Sequence, residues 1–197
     1  VVASLLHFNL SLSSLNLPLF GPLDLGWGYL PLSATIIFLF SSGYDFTDGL
    51  DGLAAGVLFV GLFAFWVVSA TALDTVLSTF ISIWLGAVLA FLYFNIYPAR
   101  IWLGNAGSLS FGATLAVIGL MLGKVIALMI IGSFFLIEIG SSLVQYLSLK
   151  LVNRRVFPIT PIHHWLQVAG WPEHKITMRS WLLTIMLSVL GLWLTQI

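Results

Sequence analysis

The sequence predicts an all-α integral membrane protein with five or six transmembrane helices. An N-terminal helix stub and a possible small extracytoplasmic hairpin precede them. Three observations predict this class. Hydrophobic residues make up 60% of the 197-residue chain against 7% charged, and the mean hydropathy of +1.10 is too apolar for a water-soluble globule. Apolar stretches recur at the ~17 to 25 residues that a bilayer-crossing helix needs. Lys and Arg collect at one end of those stretches. No internal repeat or linker divides the chain, so residues 1–197 read as one polytopic domain.

The elements follow in chain order. Val1-Val2-Ala3-Ser4-Leu5-Leu6, with no initiator Met, reads as the tail of a truncated helix, and no cleavable signal peptide is evident. Phe8, Leu10, Leu12 and then Leu15, Leu17, Leu19 alternate with Ser, Asn and Pro around Ser13-Ser14. That period of two suggests a hairpin outside the membrane, with an irregular loop as the alternative. Five spans are then expected at about Gly26 to Ser42, Leu53 to Ala72, Thr75 to Tyr97, Val125 to Leu149 and Ser180 to Ile197. A sixth, Leu109 to Leu122, is short unless the preceding Gly-Asn-Ala-Gly-Ser belongs to it.

Charge and cysteine usage exclude several functions. Lys plus Arg equal Asp plus Glu at seven each, with no basic tract to bind nucleic acid. Zero cysteines exclude disulfides, thiolate metal sites and thiol nucleophiles. With alternating spans, Arg100, Lys150, Arg154, Arg155, Lys175 and Arg179 fall on one side and Lys124 on the other. The positive-inside rule makes the first side cytoplasmic, and it also carries the acidic, Asn105 and His163-His164 segments.

Three constellations carry chemistry. Asp45, Asp48 and Asp51 place three of the chain's seven acidic residues within seven positions. An ionised Asp at bilayer depth costs about 2.5 to 3.5 kcal/mol, so a cluster there implies a cation to offset the repulsion. At a helix start the three would fan over one side, and Gly49, Gly52 and Gly56 let backbone or substrate approach. An acidic first turn complementing the helix dipole is the structural alternative. Gly104-Asn105-Ala106-Gly107-Ser108 before an apolar helix can aim backbone N–H groups at a phosphate or serve only as turn and cap. Trp102 can stack on a base or sugar, although its residue type favours an interfacial belt. His163-His164, in a two-proline loop before Gly170-Trp171-Pro172-Glu173, can bind phosphate, relay a proton or ligate metal. Adjacent side chains diverge on a helix, so a shared metal is not implied. Glu138, alone inside an apolar span, is expected to face the bundle interior in a structural or supporting role. His7 and Asp74 read as surface loop residues.

Asp45-Phe46-Thr47-Asp48-Gly49-Leu50-Asp51-Gly52-Leu53-Ala54, Phe94-Asn95 to Ser108-Leu109, and Pro161-Ile162-His163-His164 to Gly170-Trp171-Pro172-Glu173 together resemble the phospho-N-acetylmuramoyl-pentapeptide transferases. The resemblance covers roughly Leu17 to Ile197, the C-terminal half of that family's pattern. It implies Mg2+-dependent transfer of phospho-MurNAc-pentapeptide from UDP-MurNAc-pentapeptide to undecaprenyl phosphate, with release of UMP, at the bacterial cytoplasmic membrane. It assigns Asp48, Asp51, His163 and His164 to catalysis, Asp45, Gly49, Asn95 and Trp102 to substrate binding, and Asp48 and Asn105 to the metal. The implied partners are the two substrates and the bilayer, with a homodimer as a possible assembly.

The chain departs from the family pattern at three positions: Asn105 stands where the family usually has Asp, Asp45 where it has Asn, and Trp165 where it has a third His. An amide oxygen is a poorer hard ligand than a carboxylate, so Asp45 is expected to replace part of the charge missing at Asn105. The family's upstream Asp-Asp-x-x-Lys motif has no counterpart. A catalytically silent homologue or fragment, binding nucleotide sugar or scaffolding cell-wall enzymes, is therefore the alternative. A transporter with an ion site at Asp45 to Asp51 would leave the His loop unexplained.

Overall fold

A computed structural model describes residues 1–17 and 21–196. Leu19 of the predicted alternation and Ile197 of the last predicted span lie outside the described residues. Helix α1 (Val2–Phe8) is the expected stub, followed by β1 (Ser14–Leu17), β2 (Gly21–Asp24) and α2 (Tyr29–Thr47). Then come α3 (Leu53–Thr71), α4 (Thr75–Asn95), α5 (Gly104–Met121), α6 (Val125–Ile131), α7 (Ser133–Val152), α8 (Ile162–Val168) and α9 (Glu173–Thr195). Among the described residues, α3, α4, α5, α7 and α9 are long and apolar enough to cross a membrane. The chain is an all-α, multi-pass membrane protein.

The two strands pair antiparallel, Ser14 opposite Asp24 and Leu17 opposite Gly21. The hairpin therefore lies one strand later than the alternation predicts: Ser14 opens β1 instead of turning the chain. Phe8, placed on the first predicted strand, ends α1, and His7 is helical there, its Nδ1 3.1 Å from the Leu12 carbonyl oxygen.

Helix α2 is the hub, packing on α1, α5 and α7. Gly112 of α5 lets the helices approach closely, since a β-carbon there would come within 2.3 Å of the Phe40 carbonyl oxygen. Small residues at crossings are how membrane helices gain packing without a hydrophobic driving force between them. Helix α3 is the most enclosed of the five spans, held between α4 and α9. Helices α4 and α7 instead leave Phe80, Ile83, Leu89, Leu143 and Val144 exposed. In water such faces would be a liability, whereas beside acyl chains they are solvated.

Three predicted spans change. The Gly26 to Ser42 stretch runs instead from Tyr29 to Thr47 as α2, which is not one of the five helices that meet the length and hydropathy of a span among the described residues. The Val125 to Leu149 stretch is two helices, broken at Gly132-Ser133, a residue pair at which helices commonly kink. The break lets α6 pack on α9 and α7 on α2. Helix α9 begins seven residues before the predicted Ser180, because Glu173, Lys175 and Arg179 form polar first turns that a hydropathy window rejects. At the opposite end, Lys124 Nζ donates to the Thr195 carbonyl oxygen at 3.1 Å, closing the C-terminus of α9. Asp74 caps α4 by accepting from Leu77 N at 3.0 Å.

Candidate functional site

The alternation of helices brings the ends of α2, α4 and α7 and the starts of α3, α5, α8 and α9 to one end of the bundle. Asp45 sits in the last turn of α2, Asp48 is its C-cap, and Asp51 lies in the turn before α3. The carboxylates thus surround a helix end, where the sequence suggested a helix start. Gly52 enters α3 at φ +71°, a conformation that favours glycine. Three carboxylates at the negative end of a helix dipole are electrostatically unfavourable without a compensating charge. Burial, and secondarily the Asp45 charge, push the Asp48 carboxyl up to about 6.

Asp45 and Asp51 are tied to different elements. Ser108, buried in the first turns of α5, donates its hydroxyl to Asp45 Oδ1 and also approaches the Asn105 carbonyl oxygen at 3.2 Å. One hydroxyl therefore links Asp45 to the turn that carries the exposed Asn105. Asp51 faces elsewhere: its Oδ2 accepts from Ala99 N at 2.9 Å, and its own N–H donates to Glu173 Oε1 at 3.0 Å. Thr177 Oγ1 donates to the Asp51 carbonyl oxygen at 3.1 Å.

Asn95 is 2% exposed. Its Oδ1 accepts from Gly52 N at 3.2 Å and its Nδ2 donates to the Ile101 carbonyl oxygen at 2.9 Å. The amide thus braces the acidic turn against the 96–103 segment. Trp102 is 69% exposed on that segment, with its ring open to a ligand or an interface.

The histidine loop closes over the acidic turn. A β-carbon on Gly49 would lie 2.7 Å from His163 Nε2 and 3.5 Å from His164 Nε2. The two rings, 4.2 Å apart between centroids, therefore converge where divergence was expected. Separate partners turn them: Glu138 Oε2 lies 3.1 Å from His163 Nδ1, and Gln167 Oε1 lies 2.8 Å from His164 Nδ1. Gln145 Oε1 accepts from Val156 N and Phe157 N, each at 3.0 Å, fixing the approach to the loop. Trp165, at the third position of the His run, packs against Phe157. Sequence reasoning missed Ser108, Glu173, Thr177, Gln145 and Trp181 as builders of this end. Ser108 and Glu173 lie at the ends of motifs that the sequence singles out, and Glu138 carries a signal as a lone charge in an apolar run.

Among the described residues, no group of three or more His, Asp or Glu side chains is arranged to hold a metal ion. Asp45 and Asp48 offer a sparse set of carboxylate oxygens at the end of α2. A divalent cation held by one or two carboxylates completes its shell with water and ligand oxygens. The effect of the Asp45 charge on the Asp48 carboxyl favours a cation here.

Fold and site define a multi-pass membrane protein that gathers carboxylate, imidazole and amide groups at one end of its bundle. Residues 1–123 match the model of glycosyl transferase family 4, and the chain belongs to that family. The phospho-N-acetylmuramoyl-pentapeptide-transferase of Acetivibrio thermocellus is 37% identical over 169 residues, covering 85% of this chain and 51% of that protein. The Moorella thermoacetica protein of the same name is 35% identical over 174 residues, 88% of this chain and 55% of its own. One from Staphylococcus aureus is 38% identical over 172 residues, 84% and 54% respectively. The chain spans about half the length of the curated relatives it matches.

Proposed function

We propose that this chain serves the transfer of phospho-MurNAc-pentapeptide from UDP-MurNAc-pentapeptide to undecaprenyl phosphate at the cytoplasmic face of a bacterial membrane. In that reaction an oxygen of the lipid phosphate bonds to the sugar-bound phosphorus, the bond from that phosphorus to UMP breaks, and UMP leaves. The observation that carries the reading is the meeting of His163 and His164 Nε2 with Gly49 inside the acidic turn. Phosphoryl transfer is catalysed chiefly by positioning and charge stabilisation, and this end of the fold supplies groups for both.

The residues divide the task. His163 and His164 present Nε2 above Gly49, where a neutral ring accepts from a sugar hydroxyl and a protonated one donates to a phosphate oxygen. Asp45, tied to α5 by Ser108, supplies negative charge beside Asn105, while Asp48 and Asn105 would hold Mg2+. When bound, that ion neutralises the pyrophosphate and the carboxylates together. Asp51 and Asn95 keep the turn and the 96–103 segment in register, with Trp102 left to border the nucleoside. The exposed apolar faces of α4 and α7 keep the site at the membrane, where a lipid phosphate arrives.

Asn105 supports a second reading, a silent homologue that binds the nucleotide sugar without transferring it. Mg2+-dependent UMP release from UDP-MurNAc-pentapeptide plus undecaprenyl phosphate, with UDP-GlcNAc as competing donor, separates the two. Release supports transfer, and donor binding without release supports the silent reading.

A further inference from the structure

We propose that Glu138 is a positioning residue for this site, holding the His163 ring so that Nε2 faces whatever occupies the space above the acidic turn. The transferase reading supplies the ligand's identity; the geometry of the pair does not depend on it. Glu138 lies within α7, and both it and His163 are 1% exposed. A carboxylate so deep in a membrane bundle is tolerated only with a partner, and the partner is His163 Nδ1, 3.1 Å from Oε2. The same oxygen lies 3.5 Å from His163 N.

As a carboxylate, Glu138 can only accept, so Nδ1 carries the proton and donates. In the neutral ring Nε2 then holds a lone pair. Among the described residues that Nε2 is buried and has no hydrogen-bond partner. It projects onto Gly49, where even a methyl group would come within 2.7 Å. A buried polar atom without a partner is costly, and here it is aimed at the turn between Asp48 and Asp51. His164 differs, since its Nδ1 meets the neutral amide of Gln167 on its own helix. Of these two histidines, His163 alone is oriented by a charge from another helix, an arrangement that fixes tautomer as well as direction.

The test combines 15N NMR of the histidine-labelled chain in micelles with steady-state UMP release, for wild type, Glu138→Gln and Glu138→Ala. Loss of a signal in His163→Gln assigns the ring. We expect wild-type His163 in the Nδ1-protonated tautomer at neutral pH. Glu138→Ala should lose that signature and lower kcat by about 10- to 100-fold with KM nearly unchanged, the scale seen when an outer partner of a working imidazole is removed. Glu138→Gln, whose amide oxygen still accepts, should keep the tautomer and most of the rate. An unchanged tautomer in Glu138→Ala, or a loss confined to KM, overturns the proposal. If Glu138→Ala does not fold, Glu138→Leu of similar volume takes its place with the same two readings. A wild type that shows the tautomer but releases no UMP overturns the transferase reading and upholds the positioning of His163.

Discussion

Trp181 Nε1 donates to the Gly52 carbonyl oxygen at 3.0 Å, and its indole occupies the space beside Gly56. One residue of α9 thereby clamps the start of α3, and with it the acidic turn. A β-carbon on Gly56 would lie 2.0 Å from the indole, so Gly56→Ala must displace Trp181. We predict a destabilisation of about 1 to 3 kcal/mol for Gly56→Ala from overpacking. Trp181→Phe, which removes the hydrogen bond and keeps a ring, should cost about 0.5 to 1.5 kcal/mol. Denaturant titration in mixed micelles measures both.

The Asp48 carboxyl sets a pH dependence. Its affinity for a proton is raised from 3.8 to about 6 by burial and by Asp45, so the folded chain binds that proton more tightly than the unfolded one. Its contribution to stability is fully present below 3.8 and is lost as pH rises through about 6. In EDTA, wild-type stability should therefore fall between pH 4 and 7, and Asp48→Asn should flatten that slope. Magnesium added near pH 6 should release protons from wild type and not from Asp48→Asn.

The Ser108 hydroxyl bonds both the Asp45 carboxylate and the backbone carbonyl of Asn105, which sets the two residues at one helix start and predicts a compensating pair. Asp45→Asn should weaken Mg2+ binding roughly tenfold, about 1.4 kcal/mol. Asn105→Asp should strengthen it by a similar factor, and the double exchange should return affinity close to wild type. Isothermal titration with Mg2+ in the presence of UMP measures the three variants.

Orientation is testable because the chain has no cysteine. A membrane-impermeant maleimide added outside intact cells should label Ala72→Cys, in the turn after α3. It should reach Val156→Cys, in the approach to the histidine loop, only after the membrane is opened. The opposite pattern would invert the proposed topology.

Much of the fold is legible in the sequence where apolar runs are continuous. The expected Leu53 to Ala72 and Thr75 to Tyr97 spans end within two residues of α3 and α4. Hydropathy fails where a helix leaves the bilayer, as at the polar start of α9, or where a glycine breaks a run, as at Gly132. The acidic, Asn105 and histidine segments are visible as constellations because polar residues are rare in such a chain. Their joints are not visible, since Ser108 reaches Asp45 across 63 positions and Glu173 reaches Asp51 N across 122. No spacing rule encodes such pairs, which arise from the crossing of α2, α5 and α9. The convergence of His163 and His164 is hidden for the same reason: Glu138 and Gln167 turn the rings, and their partnership exists only in the folded bundle.

Gly49 gives the most direct test that the acidic turn and the histidine loop form one transferase site. The measurement is Mg2+-dependent UMP release from UDP-MurNAc-pentapeptide and undecaprenyl phosphate, comparing wild type with Gly49→Ala. A methyl group on Gly49 would lie 2.7 Å from His163 Nε2, so Gly49→Ala must push the histidine ring off the turn, while the exposed position of Gly49 itself leaves the helix packing untouched. Wild type should release UMP, and Gly49→Ala should lose at least about tenfold in rate, the scale on which small misplacements of reacting groups act. No release by wild type, or equal release by both, would contradict the account.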